Sequence, residues 1–156
     1  MGTKRIAFVC TGNICRSPMA VALAKPIFEE RGLSVVIISG GTLGLINRSA
    51  ASNAVAVVKE LGLDLSSHRS QAAQPALMRM AEYVVVMAPR HEQELLAKDP
   101  RIGPSIVRLW EYYPEDAEGA PLAQIEDPVG QSLEAFRESR DIIKVCLERW
   151  ADTFVE

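Results

Sequence analysis

The sequence is poor in the residues that staple secreted folds or hold metals. It has three cysteines, Cys10, Cys15 and Cys146, and two histidines, His68 and His91, in 156 residues. A small, odd cysteine set argues against a disulfide framework and for a reducing compartment, so nucleophilic or redox chemistry is left as the use of a thiol. Cys10 and Cys15 share a Gly-containing loop with neither histidine nearby in sequence, a poor pattern for zinc. No apolar run approaches the ~18 residues of a membrane helix, and the run from Ile6 to Cys10 is too short for a signal peptide. Asn47-Arg48-Ser49 fits a glycosylation site only in an exported chain, and Ile6 stands where a myristoylation signal wants Ser or Thr. Nor is there an excess of one charge: 17 basic and 20 acidic residues leave a net charge of −3, giving no global field for nucleic acid or an anionic membrane. The expectation is a cytoplasmic monomer with neither of those partners.

What is present is ordinary globular material, 48% hydrophobic and 24% charged, enough for one domain over residues 1–156. Short apolar runs alternate with helical stretches. Lys4–Val9, Leu33–Ser39, Tyr83–Met87 and Ser105–Trp110 read as strands. Pro18–Arg31, Ala50–Leu61, Gln74–Ala81, Pro89–Lys98 and Gln131–Trp150 read as helices, with Pro26 marking a bend and Arg140 interrupting the last apolar stripe. Cys146 falls among the apolar positions of that stripe and reads as core packing. A long connection, Glu111–Gly130, is rich in proline and acid. Strands apolar along their whole length and separated by helices predict an α/β fold: a doubly wound parallel sheet with helices on both faces, three layers in all. Ligands of such folds sit beyond the carboxyl ends of the strands, where the loop Cys10–Ser17 lies.

That loop has the makings of an anion site. A strand leads through Cys10-Thr11-Gly12-Asn13-Ile14-Cys15-Arg16-Ser17 into a helix with Pro18 in its first turn. Backbone N–H groups wrapped onto a helix N-terminus face inward, and the helix dipole favours negative charge. Gly12 gives conformational freedom and Asn13 tolerates a left-handed backbone. Arg16 can close the ring and grip two phosphate oxygens with its planar fork. The same donors favour a thiolate on Cys10, suited to attack phosphorus, and Ser17 can hydrogen-bond the sulfur and help it leave.

Val9-Cys10-Thr11-Gly12-Asn13-Ile14-Cys15-Arg16-Ser17-Pro18-Met19-Ala20 closely resembles the signature of the low-molecular-weight protein tyrosine phosphatase family. The resemblance implies a four-stranded parallel sheet, a phosphorylated protein as substrate, a phosphocysteine intermediate, inorganic phosphate as product, and neither metal nor cofactor. It implies phosphate binding by residues Thr11 to Ser17. It also implies a general acid in an Asp-Pro pair before the last helix, which here is Asp127-Pro128. Asp99-Pro100 follows a mid-chain helix and fits no family position, while Asp116 is a weaker competitor on the long connection. Asn13, Ser17, Ser39 and His68 correspond to the groups that brace the family's loop. His91, after Pro89-Arg90, reads as a solvated helix residue.

The specificity markers divide. Ile14 is similar to the tyrosine branch, whereas Asp127-Pro128-Val129-Gly130-Gln131-Ser132, and the absence of an aromatic residue from Thr42 to Ile46, look more like the branch acting on phosphoarginine. Ile14 sits inside the loop beside the phosphoryl group, so phosphotyrosine is the leading expectation and phosphoarginine the alternative. Arsenate reductase chemistry needs a relay of further thiols, and no cysteine lies between Cys15 and Cys146. A non-catalytic phosphoprotein-binding module would be marked by loss of Cys10, Arg16 or Asp127, and all three are present. Cys15 also allows a reversible disulfide with Cys10, against the plainer reading of a residue packed under the site.

Overall fold

In the computed structural model, which describes residues 2–114 and 121–155, four parallel strands form one sheet in the order β2-β1-β3-β4. These are β1 (Lys4–Cys10), β2 (Val35–Gly41), β3 (Tyr83–Val86) and β4 (Ile106–Arg108). Between and after them lie α1 (Arg16–Glu30), α2 (Ser52–Lys59), α3 (Pro75–Met78), α4 (Pro89–Lys98) and α5 (Leu133–Asp152). The chain leaves β1 in one direction to build β2 and returns past it to build β3 and β4. Right-handed crossovers in opposite directions put α1 and α4 on opposite faces of the sheet. Helices α1, α2 and α5 pack together on one face, and α4 packs on β3 with a 3-10 turn at Pro100–Ser105 on the other. The expected α/β architecture, with its four-stranded parallel sheet, is what forms.

The core follows from that layering. Ile6–Val9 and Val84–Val86 are wholly buried because helices cover both sides. Met19, Leu23, Ile27 and Phe28 of α1 face Ile143, Cys146, Leu147 and Trp150 of α5. Phe28, Tyr83, Trp150 and Phe154 cluster at the bottom of the sheet with centroids 5.3–6.0 Å apart, edge to face except for the tilted pair Phe28–Phe154. Cys146 is buried as expected of core packing. Arg140 enters the same interface without breaking it: Nη1 donates to Val57 O at 2.9 Å and to Glu60 at 2.7 Å. Among the described residues no helix is long and apolar enough to cross a membrane.

Most elements differ from the sequence reading by one or two residues at an end, and three differences bear on the site or the sheet. Strand β2 does not stop at Ser39 but continues through Gly40 and Gly41, paired with Val9 and Cys10. A Cβ at Gly40 would lie 2.8 Å from Ala73 Cα, and one at Gly41 only 2.7 Å from Thr11 O, so glycine here marks close approach of backbone. Strand β4 is shorter than expected because β3, its one partner, ends its ladder at Val86 opposite Arg108; the chain then turns into a 3-10 segment, Leu109–Tyr112. Helix α3 is a single turn. Helix α1 runs through Pro26, and Asp116 lies outside the described residues.

Candidate active site

The loop from Cys10 to Ser17 is held by its carbonyls. Thr42 N donates to Cys10 O at 3.0 Å, Leu43 N to Thr11 O at 2.9 Å, Ala51 N to Ile14 O at 2.8 Å and Met19 N to Cys15 O at 3.2 Å. His68 Nε2 donates to Asn13 O at 2.7 Å. With the oxygens committed outward, the amides turn in. Asn13 N points at Cys10 Sγ, 3.3 Å away, and among the described residues the amides of Gly12, Ile14 and Cys15 have no protein acceptor. This is the arrangement of an anion nest at the start of a helix.

Asn13 is the keystone. It alone in the loop has a left-handed backbone, φ 57°, and its side chain is fully buried. Gln71 N–H can only donate, at 3.0 Å, so the facing atom of Asn13 is the carbonyl oxygen. Its Nδ2 then donates to Ser17 Oγ at 2.8 Å and to Ser39 Oγ at 3.0 Å. Because Ser17 Oγ accepts from Asn13, its own proton is free for Cys10 Sγ at 2.9 Å. The structure thus brings together Cys10, Asn13, Ser17, Ser39 and His68. Gly12 differs from expectation: its φ is not positive, and a Cβ there would meet only side chains at 3.4 Å or beyond. The left-handed turn falls on Asn13, the residue whose type tolerates it.

Arg16 is buried at the first position of α1. Its Nη1 donates to Ile125 O at 2.8 Å, and Ile125 N in turn donates to Met87 O at the end of β3, at 2.9 Å. That double tie places Asp127, two residues on, over the loop, with Oδ2 3.4 Å from Arg16 Nη2. Asp127 Oδ1 accepts from Val129 N at 3.1 Å, and Pro128 is buried beneath the turn. Arg16 Nε is buried with no partner among the described residues, a deficit that costs about 1–3 kcal/mol unless a ligand fills it. A bound anion is the kind of ligand that would fill it.

Cys10, Thr11, Gly12, Ile14, Cys15, Leu43, Leu45, Asp127 and Val129 line one cavity of about 150 Å³. Its three-residue far wall, Leu43, Leu45 and Val129, is apolar and carries no aromatic ring. The cysteines are free thiols. Burial, with the nearby charges of Asp127 and Cys10, pushes the Cys15 thiol up to about 12, so it is a packed neutral group. His68 is lowered by burial, against the opposing bond to Asn13 O. Asp99, the other Asp-Pro aspartate, is engaged elsewhere, capping the 3-10 turn and pairing with Arg79 and Arg101. Among the described residues no group of three His, Cys, Asp or Glu side chains gathers as metal ligands.

Sequence reasoning missed three members of the site. Gln71 holds both Asn13 and, through Nε2, Ser39 O at 2.9 Å. Gly41 lets β2 touch the loop; the pair Gly40-Gly41 directly after an apolar run was the available signal. His91 is not solvated: it is fully buried and bonds Thr11 Oγ1 at 3.0 Å. Its position two residues after a helix-opening proline gave no sign of this, because the contact spans 80 residues of sequence.

Residues 5–156 match the family model for low molecular weight phosphotyrosine protein phosphatase. The chain is 35% identical over 147 residues to a probable low molecular weight protein-tyrosine-phosphatase, EpsP, of Ralstonia nicotianae, covering 94% of this chain and 93% of that one. It is 34% identical to a protein-arginine-phosphatase of Bacillus subtilis, again over 94% and 93% of the two chains. A crystal structure of a YwlE mutant from Bacillus subtilis superposes with a TM-score of 0.86 at 33% identity, covering 97% of this chain and 98% of that one. A match of this length, on a fold that carries the Cys10–Ser17 loop at its switch point, leaves one conclusion: the chain belongs to the low molecular weight phosphotyrosine protein phosphatase family.

Proposed function

We propose that this protein is a protein phosphatase that hydrolyses phosphotyrosine through a phosphocysteine on Cys10. The observation that carries the reading is the inward ring of amides around Cys10 Sγ, closed by the unpartnered Nε of Arg16. A phosphoryl group seated there takes the guanidinium for itself and frees Asp127 Oδ2 to face the leaving oxygen. Cys10 Sγ attacks phosphorus, the P–O bond to the substrate breaks, and Asp127 gives its proton to the departing oxygen. Water then attacks the phosphocysteine and yields a proton to Asp127. The P–S bond breaks with Ser17 O–H donating to the sulfur, and inorganic phosphate leaves. Thr11 to Ser17 hold the phosphoryl oxygens throughout, while Asn13, Ser39 and His68 keep the loop in shape. No metal or cofactor has a part in these steps.

Ile14, an apolar wall inside the cradle, supports an aryl substrate. A second reading, phosphoarginine, draws on the relative named for that activity and on the aromatic-free wall of Leu43, Leu45 and Val129. Three free thiols fit a reducing, cytoplasmic setting, and we expect one domain acting as a monomer. The test is turnover of phosphotyrosine and phosphoarginine peptides by the wild type and by Cys10→Ser. The variant should lose roughly 10⁴-fold or more in kcat while still binding phosphate; turnover that survives it would sink the mechanism.

A further inference from the structure

Helix α4 places the imidazole of His91 wholly inside the protein, and its two nitrogens have fixed roles. The N–H of Ala88 can only donate, and it lies 3.1 Å from Nδ1, so the ring proton sits on Nε2. Nε2 therefore donates to Thr11 Oγ1, 3.0 Å away. Arg16 Nη2 donates to the same oxygen at 3.3 Å. Two donors fill both lone pairs of the hydroxyl. Its own proton is left over, without an acceptor among the described residues, on a side chain that lines the cavity. Burial, helped by the charges of Arg16 and Arg90, lowers His91 to about 3, so this neutral tautomer persists throughout the neutral pH range.

We propose that His91 is a positioning residue of the phosphate cradle: acting through Thr11, it fixes a hydroxyl that accepts from Arg16 and presents its proton to a phosphoryl oxygen. Arg16 Nη2 has a competing partner in Asp127 Oδ2, at 3.4 Å. An anchored, neutral oxygen on its other side keeps the guanidinium over the cavity instead of following the carboxylate. Thr11 can play that part only if it cannot turn, and the buried imidazole is what stops it turning. The inference rests on the phosphatase reading above and adds a donor to it.

The experiment is a mutant cycle: wild type, Thr11→Val, His91→Leu and the double variant, with Thr11→Ser and His91→Gln as conservative controls. Each is assayed for kcat and KM on an aryl phosphate and for competitive inhibition by inorganic phosphate. Thr11→Val and His91→Leu should each lose about tenfold in kcat/KM and weaken phosphate inhibition. The double variant should be within roughly twofold of Thr11→Val, and the conservative variants should recover part of the loss. Single losses that multiply in the double variant, or a Thr11→Val enzyme within roughly twofold of wild type, overturn the proposal. His91→Leu also strands the Ala88 N–H; if it does not fold, Thr11→Val alone decides, since His91 then has nothing to act through. A wild type inactive on every phosphate ester and on phosphoarginine defeats the phosphatase reading instead, and calorimetric phosphate binding across the same set reads the cycle without turnover.

Discussion

The two sides of the cavity are held to very different degrees. On one side, Cys10–Ser17 has its carbonyls pinned by Thr42, Leu43, His68 and Ala51, and Asn13 is locked from four directions. On the other, Leu43 and Val129 are 64% and 52% exposed, and Asp127 is steadied by one amide and by Arg16. The difference matches the work each side is assigned. Charge stabilisation needs donors that do not reorganise as the reaction proceeds. An acid that must approach leaving groups on varied proteins, and a wall that must admit them, gain from fewer fixed contacts. The firm side would then set whether a phosphoryl group is transferred, and the loose side would set which residue delivers it.

Removing the proposed acid, Asp127, should separate the two sides most clearly. Asp127→Asn is expected to lower kcat by about 10² or more on a substrate with a poor leaving group, and much less on one that departs without a proton. Phosphate affinity should hold. The check is a series of aryl phosphates of rising leaving-group pKa; an equal loss along the series would mean that Asp127 serves the firm side, as a partner of Arg16, and is not the acid.

Glycine substitutions probe the same contrast through stability. Gly41→Ala drives a Cβ to 2.7 Å from Thr11 O and 3.0 Å from Asn13 N, so it should cost about 1–3 kcal/mol and damage activity with it. Gly130 has a left-handed φ of 73° but open space around it; alanine there should cost about 1 kcal/mol, in backbone strain alone. Chemical denaturation of the two variants, with kcat measured on each, makes the comparison.

Acid should loosen the firm side alone. His91 is lowered to about 3 by burial and by Arg16 and Arg90, and His68 is lowered by burial. Both bind protons more readily in the unfolded chain, so the stability they confer is complete above pH 6.5. It should fall as pH drops below that value, by up to about 1.4 kcal/mol per pH unit for each histidine, until the folded pKa is reached. Between pH 6.5 and 5 few carboxylates titrate, so denaturation midpoints in that window report on these two residues. His91→Gln should flatten the slope by up to one proton.

How much of this was legible in the sequence follows the range of the contacts. Cys10, Arg16, Ser17 and Asn13 lie within one turn of chain at a strand-to-helix junction, where local rules of loops and helix N-termini apply, and their types could be read directly. The order of strands and helices was equally local. Long-range partners were not. Gln71, Gly41 and His91 reach the loop only once β2 and α4 have docked on the sheet; the Gly40-Gly41 pair is the one local sign, and nothing in the neighbourhoods of Gln71 and His91 distinguishes them from surface residues. The left-handed turn at Asn13 was legible from its type, whereas the freedom expected of Gly12 is not used, because the Asn13 side-chain network alone sets that turn.

Ile14→Thr has the smallest expected effect and bears on the boundary between the two sides. Ile14 is fixed at its carbonyl by Ala51 N, yet its side chain faces the cavity with Leu45 and Val129 opposite. Threonine keeps the β-branch and the backbone preference, so the loop should hold its shape. It exchanges an ethyl arm for a hydroxyl and thereby removes apolar contact for an aryl ring while adding a polar group for a guanidinium or a water. A change of that size shifts discrimination on the order of tenfold. The expected outcome is a rise of that order in the ratio of kcat/KM for phosphoarginine over phosphotyrosine peptides, with phosphate inhibition unchanged. If the ratio stays put while both rates fall together, Ile14 belongs to the firm side and shapes the cradle. Specificity would then reside in Leu43, Leu45 and Val129, on the opposite wall.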